Sequence, residues 1–307
     1  MDEVKPDICC QNTRFDATKP DLPTIEDIQK DNGETEETRI CGLETLRQKL
    51  KELEDIEACL DEEFLLRFLR VESFDSLRAF QRLKNFYDMQ EEMLEMFKHC
   101  SIDASVVQSM PYFWALPYRP KNNSALLVVT MGAPDFSRMT FDEKSYLDLI
   151  ATNTLLMNPL TQMCGVSLIF DWSGFHLNSF LAFKPVSVIR LMNHMLKSYP
   201  MRIKEIHVVN IHEIFRIVCN IFYFVLPKEL RSCVFFHPND GWESLHESIP
   251  PEILPQEYGG HLEHSSMINL LDDVGKLEKQ FGELFRFGYV KTQKLRQSLS
   301  LITPGKD

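Results

Sequence analysis

Residues 205–237 read EIHVVNIHEIFRIVCNIFYFVLPKELRSCVFFH, and the fold turns on this stretch. EIHVVN at 205–210 suits a strand, the apolar run at 211–226 suits a helix, and CVFFH at 233–237 suits a second strand. Two strands joined through a helix of that length need a crossover connection, which leaves them parallel. The same alternation extends upstream. Residues 125–131 (ALLVVTM) form a continuous β-branched and apolar run, as in a strand covered on both faces. Residues 142–157 have helical periodicity, 166–171 (VSLIFD) read as a further strand, and 179–198 as a further helix. Strands alternating with helices predict an α/β domain with a mainly parallel sheet over 105–265.

Ahead of that domain the period changes. Leu43, Leu46, Leu50, Leu53, Ile56 and Leu60 recur at three- and four-residue steps, which predicts an amphipathic helix. Residues 61–70 place Phe64, Leu65, Phe68 and Leu69 on one side of a second helix, and 74–97 read as a third. These make a helical N-terminal module over 43–98. Residues 1–42 are acidic and lack aliphatic periodicity, so a disordered tail is expected, with at most a short helix near 25–28. Residues 266–307 hold one C-terminal helix, within 267–287, and a polar tail.

The chain has 307 residues, and its 45 acidic and 33 basic residues give a formal charge of −12. The acidity is local: residues 1–63 carry 19 acids against 8 bases, and the remainder 26 against 25. A balanced body gives no grounds for a nucleic-acid partner, yet basic clusters on it can approach an anionic membrane. Insertion into a bilayer is not expected, because the longest apolar run, 217–226, is shorter than the ~20 residues a span needs. The acidic start MDEVKPDICC has no apolar h-region, so a cytoplasmic protein is expected. Eight cysteines without C-x-x-C spacing are expected to be reduced thiols.

Enzyme signatures are missing. The chain contains no G-x-S-x-G elbow, no phosphate-binding G-x-x-x-x-G-K-[ST] loop and no G-x-G-x-x-G after a strand. His261 and His264 have no third ligand at suitable spacing, so a surface loop is expected there and no metal site. His207 lies inside a strand and reads as a hydrogen-bonded core residue. Asp171, with Gly174 three residues on, reads as the cap of a D-W-S-G turn. No catalytic residue is assigned, and an enzyme is not expected.

The helix at 211–226 is the unusual element. His212, Arg216, Asn220 and Tyr223 form one narrow polar stripe, and nearly everything else is apolar. That apolar arc is far wider than the ~100° of a helix resting on a core. Two readings stay open: a central core helix, or a helix that faces an apolar cavity on one side and lipid on the other. Cations flank it. Arg202 and Lys204 precede it, on one face of a strand by the two-residue period, and Lys228 and Arg231 follow it. Basic residues beside a very apolar helix suit docking onto anionic headgroups, at about 1 kcal/mol each.

Four motifs in this chain resemble those of the CRAL-TRIO lipid-binding family, in the branch of the α-tocopherol transfer protein and the cellular retinaldehyde-binding protein. FLLRFLR at 64–70, followed by Phe74 and Asp75, is similar to the family's N-terminal helical motif. Ile169, Phe170 and Asp171 with Gly174 resemble its central strand and turn. SYPMRIK at 198–204 with His207 and Asn210 resembles its next strand, and LPQEYGG at 254–260 its closing signature. The motifs fall in the family's order over about residues 43–290.

The resemblance implies a domain that encloses one hydrophobic ligand, tocopherol-, retinoid- or phospholipid-like, with the helix at 211–226 as a mobile gate. It places Leu149, Thr152, Asn153 and Leu156 in the pocket lining, with Thr152 and Asn153 offering a polar contact to a hydroxyl or carbonyl. Phe170 or Ile169, Phe180, Phe183, Ile189 and Leu191 to Met195 join them, as do Ile214, Val218, Ile221 and Phe222 of the gate. Arg202 and Lys204 match the family's phosphoinositide-binding pair. Lys228 and Arg231 stand close to two further cation positions, which Glu229 and Cys233 occupy here, and Glu72 replaces a base. The expected protein is a monomeric carrier that holds one lipid in a pocket of several hundred Å³ and transfers it between membranes. It would be cytoplasmic, transiently associated with anionic membrane, and without a cofactor beyond the lipid. The alternative is a phosphoinositide-binding trafficking adaptor without cargo.

Overall fold

The computed structural model describes residues 23–182, 185–226, 228–298 and 302–303. Strands β1 (Phe113–Ala115), β2 (Ala125–Thr130), β3 (Val166–Asp171), β4 (Ile203–Val209), β5 (Val234–Phe236) and β6 (Ile268–Asn269) form one sheet of order β5-β4-β3-β2-β1-β6. Strands β2 to β5 run parallel, as the alternation predicts. Strands β1 and β6 join antiparallel at the far edge. Those two escape a reading of the sequence because each is only two or three residues long and neither stands in the strand–helix alternation that reveals the equally short β5.

Register then decides which residues face which side. β2 pairs with β3 residue for residue, from Ala125–Val166 to Thr130–Asp171. Successive strand side chains alternate. Leu127, Val129, Leu168, Phe170, Ile206 and Val208 accordingly meet the larger core. Leu126, Val128, Ile169 and Val209 meet a second, smaller core closed by Leu245, Ile249, Leu254, Tyr258 and Met267. Just past the end of β2, Gly132 passes close over the D-W-S-G turn. A Cβ there would lie 2.1 Å from the Ser173 carbonyl oxygen, so only glycine fits. Asp171 caps that turn as expected: its carboxylate accepts from the Ser173 N–H, from Asn210 Nδ2 and from the Tyr258 hydroxyl, each at 2.9 Å.

The helices that frame the sheet include α1 (Ile25–Asp31), α2 (Glu36–Lys51), α3 (Glu62–Val71), α4 (Ser76–Phe97), α5 (Phe141–Leu155), α6 (Pro159–Cys164), α7 (Leu177–Ala182), α8 (Pro185–Lys197), α9 (Glu213–Val225), α10 (Lys228–Arg231) and α11 (Val274–Phe285); further short helices are Ala104–Gln108, Glu243–His246 and Gln293–Ser298, the last within the segment expected to be a polar tail. The span 179–198, read as one helix, holds α7 and α8, with Pro185 suited to a helix start because it lacks an N–H. α11 starts later than the sequence suggests because Asp273 caps it, accepting from the Lys276 N–H.

The tail expected over 1–42 is corrected within its described part, and residues 1–22 lie outside it. Thr24 and Asp27 form a capping box that starts α1, and Thr35 with Thr38 starts α2. Ile28 packs on Leu160, Met163 and Cys164. Glu34 is 7 % exposed, and Arg70, itself 4 % exposed, donates to its carboxylate through Nη2 at 2.7 Å and Nε at 3.0 Å. The anchor of this segment is an acid, which apolar periodicity does not register. α2 also stops at Lys51 rather than near residue 60. Ile56 and Glu57 instead pair antiparallel with Tyr289 and Gly288, tying the C-terminal part to the helical module.

The module in turn holds α8. Arg82 of α4 donates to the carbonyls of Leu196 at 2.7 Å and Tyr199 at 2.8 Å, and Asn85 donates to that of Lys197. Those of Leu196 and Lys197 are carbonyls that the end of a helix leaves without partners of its own.

Candidate functional site

Between the first face of the sheet and the helices α5 and α8 lies an apolar cavity of about 140 Å³. Phe113, Leu127, Val129, Leu168 and Phe170 line it from β1, β2 and β3, and Ile203 and Ile206 from β4. Leu149 and Thr152 contribute from α5, Leu191, Met192 and Met195 from α8, and Met201 and Leu230 complete the wall. The volume is below the several hundred Å³ expected. Three methionines stand in the wall, and an unbranched thioether side chain fills irregular space and re-packs readily.

One corner is polar. Asp148, on the same helical stripe as Leu149 and Thr152, lines the cavity. Its Oδ1 accepts from the Tyr112 hydroxyl at 2.9 Å and its Oδ2 from Lys144 Nζ at 2.7 Å. Lys144 also lies 4.7 Å over the Tyr112 ring. Burial, and then the Asp148 charge, push the Tyr112 phenol well above its ordinary pKa, so it stays a donor. The Thr152 hydroxyl donates to the Asp148 carbonyl at 2.6 Å. Sequence reasoning missed Asp148, Tyr112 and Lys144. The available signal was a charged residue one position before Leu149 and four before Thr152.

Of the residues expected in the pocket, Leu149, Thr152, Phe170, Leu191, Met192 and Met195 line this cavity. Asn153 and Leu156 are buried but stand apart from it, and Asn153 Oδ1 accepts from Arg67 Nη1 at 3.0 Å. Ile169 belongs to the opposite face of the sheet. Phe180 packs its ring against Phe215, and Ile189 is half-buried away from the cavity wall. Ile214 points outward, 61 % exposed. Phe183 and the side chains of Val218, Ile221 and Phe222 lie outside the described residues.

The four expected membrane cations separate. Lys204 and Lys228 are exposed, and Arg231 is half-buried. Arg202 is turned inward: Nε donates to the Val71 carbonyl, Nη1 to that of Met163, and Nη2 to that of Arg70 and to Ser73 Oγ, at 2.8 to 3.0 Å. Burial lowers its pKa. The expectation of Arg202 as an open headgroup contact is corrected on this point, because its guanidinium is occupied by the chain itself. Large apolar side chains are exposed on two helices: Leu177 and Leu181 on α7, and Ile214 and Phe224 on α9, with Leu181 at 71 % and Phe224 at 72 %. α7 and α9 meet through Phe180 and Phe215.

His207 is a buried, hydrogen-bonded residue as expected, 2.9 Å from His237 Nε2 through its Nδ1. His264 contacts Glu257, and no group of three or more metal-ligating side chains occurs among the described residues. No helix among them is long and apolar enough to cross a membrane.

Comparison with known proteins agrees with this architecture. The family model for the CRAL/TRIO domain matches residues 110–260. The chain is 29 % identical over 229 residues to the alpha-tocopherol transfer protein-like protein of Homo sapiens, spanning 74 % of this chain and 67 % of that protein. It is 30 % identical over 235 residues to Clavesin-2 of Homo sapiens, spanning 71 % and 70 %. Matched over strands β1 to β5 by the model of the domain and over most of its length by such relatives, the chain belongs to the CRAL-TRIO family.

Proposed function

We propose that the protein binds one hydrophobic lipid in the cavity beneath α5 and α8 and carries it between membranes. The observation behind this reading is the wall: apart from Asp148 and Thr152, every described side chain lining the cavity is apolar. Each CH₂ that a lipid removes from water into such a wall gains about 0.8 kcal/mol, which makes an insoluble molecule transportable. The adaptable Met192, Met195 and Met201 let the space enlarge around a ligand. A relative whose name marks it as like a tocopherol transfer protein supports the same assignment. No covalent chemistry is part of it.

α9 serves as the gate in this reading. Its outward Ile214 and Phe224, with Leu177 and Leu181 of α7, give lipid an apolar face to cover. Lys204, Lys228 and Arg231 supply attraction to anionic headgroups, phosphoinositides among them, while Arg202 holds the frame beneath. The protein would work in the cytoplasm and visit membranes transiently.

Extraction of the purified full-length protein with organic solvent after incubation with mixed-lipid vesicles, followed by mass spectrometry, tests the reading. A lipid recovered at one per chain is expected. Folded protein that binds vesicles yet yields no lipid would instead support an adaptor without cargo.

A further inference from the structure

We infer that the bound lipid ends in a neutral hydrogen-bond donor, a hydroxyl, held by Asp148, and that the cavity refuses lipids ending in a carboxylate. The inference rests on the reading of the cavity as the ligand site, and it follows from which atoms of the wall are still free to bond.

Among the described residues, only Asp148 and Thr152 bring polar side chains to the cavity. The one hydrogen of the Thr152 hydroxyl is committed to the Asp148 carbonyl at 2.6 Å, so toward the cavity that oxygen can only accept. The carboxylate of Asp148 has no hydrogen to give. Each of its oxygens takes one donor, from Tyr112 at 2.9 Å and from Lys144 at 2.7 Å, and each keeps a further lone pair. Tyr112 and Lys144 do not line the cavity; the Tyr112 hydroxyl gives its one hydrogen to Asp148, and Lys144 directs one N–H to the same carboxylate. The main-chain groups of β3, in the cavity's sheet wall, are taken up by its ladders with β2 and β4. The wall therefore offers acceptors and no side-chain donor.

A hydroxyl entering this corner donates to a charged acceptor, the stronger class of hydrogen bond. An ether has nothing to donate. A carboxylate brings a like charge to Asp148 beside an otherwise apolar wall, and finds no side-chain donor in that wall to replace the hydration it gave up. The order expected is alcohol, then ether, then acid.

The full chain, stripped of lipid on a hydrophobic resin, would be titrated at pH 8 with 1-dodecanol, dodecyl methyl ether and dodecanoate, with binding read by native mass spectrometry and thermal shift. The alcohol is expected to bind about tenfold more tightly than the ether and about a hundredfold more tightly than dodecanoate. Asp148→Asn should bring dodecanoate to within about threefold of the ether. Because that change leaves the Lys144 ammonium without its partner and can impair folding, the double variant Lys144→Met with Asp148→Asn removes both charges and should lose the discrimination equally. Parent protein that binds dodecanoate as tightly as dodecanol overturns the inference and leaves the carrier reading standing. A rejection of dodecanoate relative to the ether that survives in both variants overturns the assignment to Asp148. If none of the three amphiphiles binds the parent, the carrier reading falls and the inference with it.

Discussion

Arg202 and Lys204 stand two residues apart and have different surroundings. Arg202 spends its guanidinium on the carbonyls of Arg70, Val71 and Met163 and on Ser73, which joins the end of α3 to the start of β4, while Lys204 is exposed. Arg202→Ala should cost about 2 kcal/mol of stability, seen as a lower melting temperature. Lys204→Ala with Lys228→Ala should leave melting unchanged and weaken binding to anionic vesicles by roughly fivefold per charge at low salt, fading as the ~8 Å screening length of physiological salt is reached. Vesicle sedimentation beside melting curves checks both, and equal vesicle binding by the double variant would reject these lysines as headgroup contacts. A second residue-scale effect is pH dependence. Burial, and then the charge of His207, hold His237 down to a pKa of about 4. Above pH 6.5 an imidazole is neutral in both folded and unfolded chain, and stability is whole. As pH falls below 6.5 the unfolded chain takes up a proton that the folded chain refuses, so stability declines until about pH 4. His237→Gln should flatten the melting temperature over that window, and an unchanged slope would remove His237 as its cause.

For α7 and α9 the test concerns which side is hidden. The helix at 211–226 is apolar nearly all round, so its pattern leaves open which residues are covered. In the structure Phe215 is buried against Phe175 and Phe180, while Ile214 and Phe224 face outward. Leu181→Asp with Phe224→Asp places charges in water and should leave unfolding curves within about 0.5 kcal/mol of the parent. Transfer of lipid between vesicles should nevertheless fall by about tenfold or more, since burying a charge at the membrane opposes docking. Phe215→Asp should act the other way round, with loss of soluble folded protein before any transfer defect. Normal transfer by the Leu181 and Phe224 variant would mean that lipid does not cover this face.

At the scale of the whole molecule, the helices before residue 43 are part of the body. The Glu34 carboxylate and Arg70 guanidinium are buried together, and removing one charge of a buried pair strands the other. Glu34→Ala should therefore cost about 3 kcal/mol. Deleting residues 1–40 should cost at least as much, because the Ile28 contact with Leu160 and Met163 goes too. Chemical denaturation of both against the parent checks this. A deletion variant as stable as the parent would return this segment to the status of a detached tail.

The strands were legible because they are local statements. ALLVVTM and VSLIFD each announce burial on both faces within six or seven residues, and the sheet pairs them in register. The closing motif LPQEYGG is local too: a Cβ on Gly260 would lie 2.0 Å from the carbonyl oxygen of Leu254, six residues earlier. Periodicity thus determined the parallel core and its crossover helices, and the four motifs carried the resemblance to the family. It could not assign partners across the chain. Whether Phe170 or Ile169 meets the cavity depends on which sheet face the helices cover, and Leu149 lines it while Asn153, one turn on, answers to Arg67. Asp148 becomes the polar corner of the cavity through Tyr112, and Glu34 becomes an anchor through Arg70, each partner 36 residues away. A hydrophobic pattern records how deeply a residue is buried, and only the packed chain decides against what.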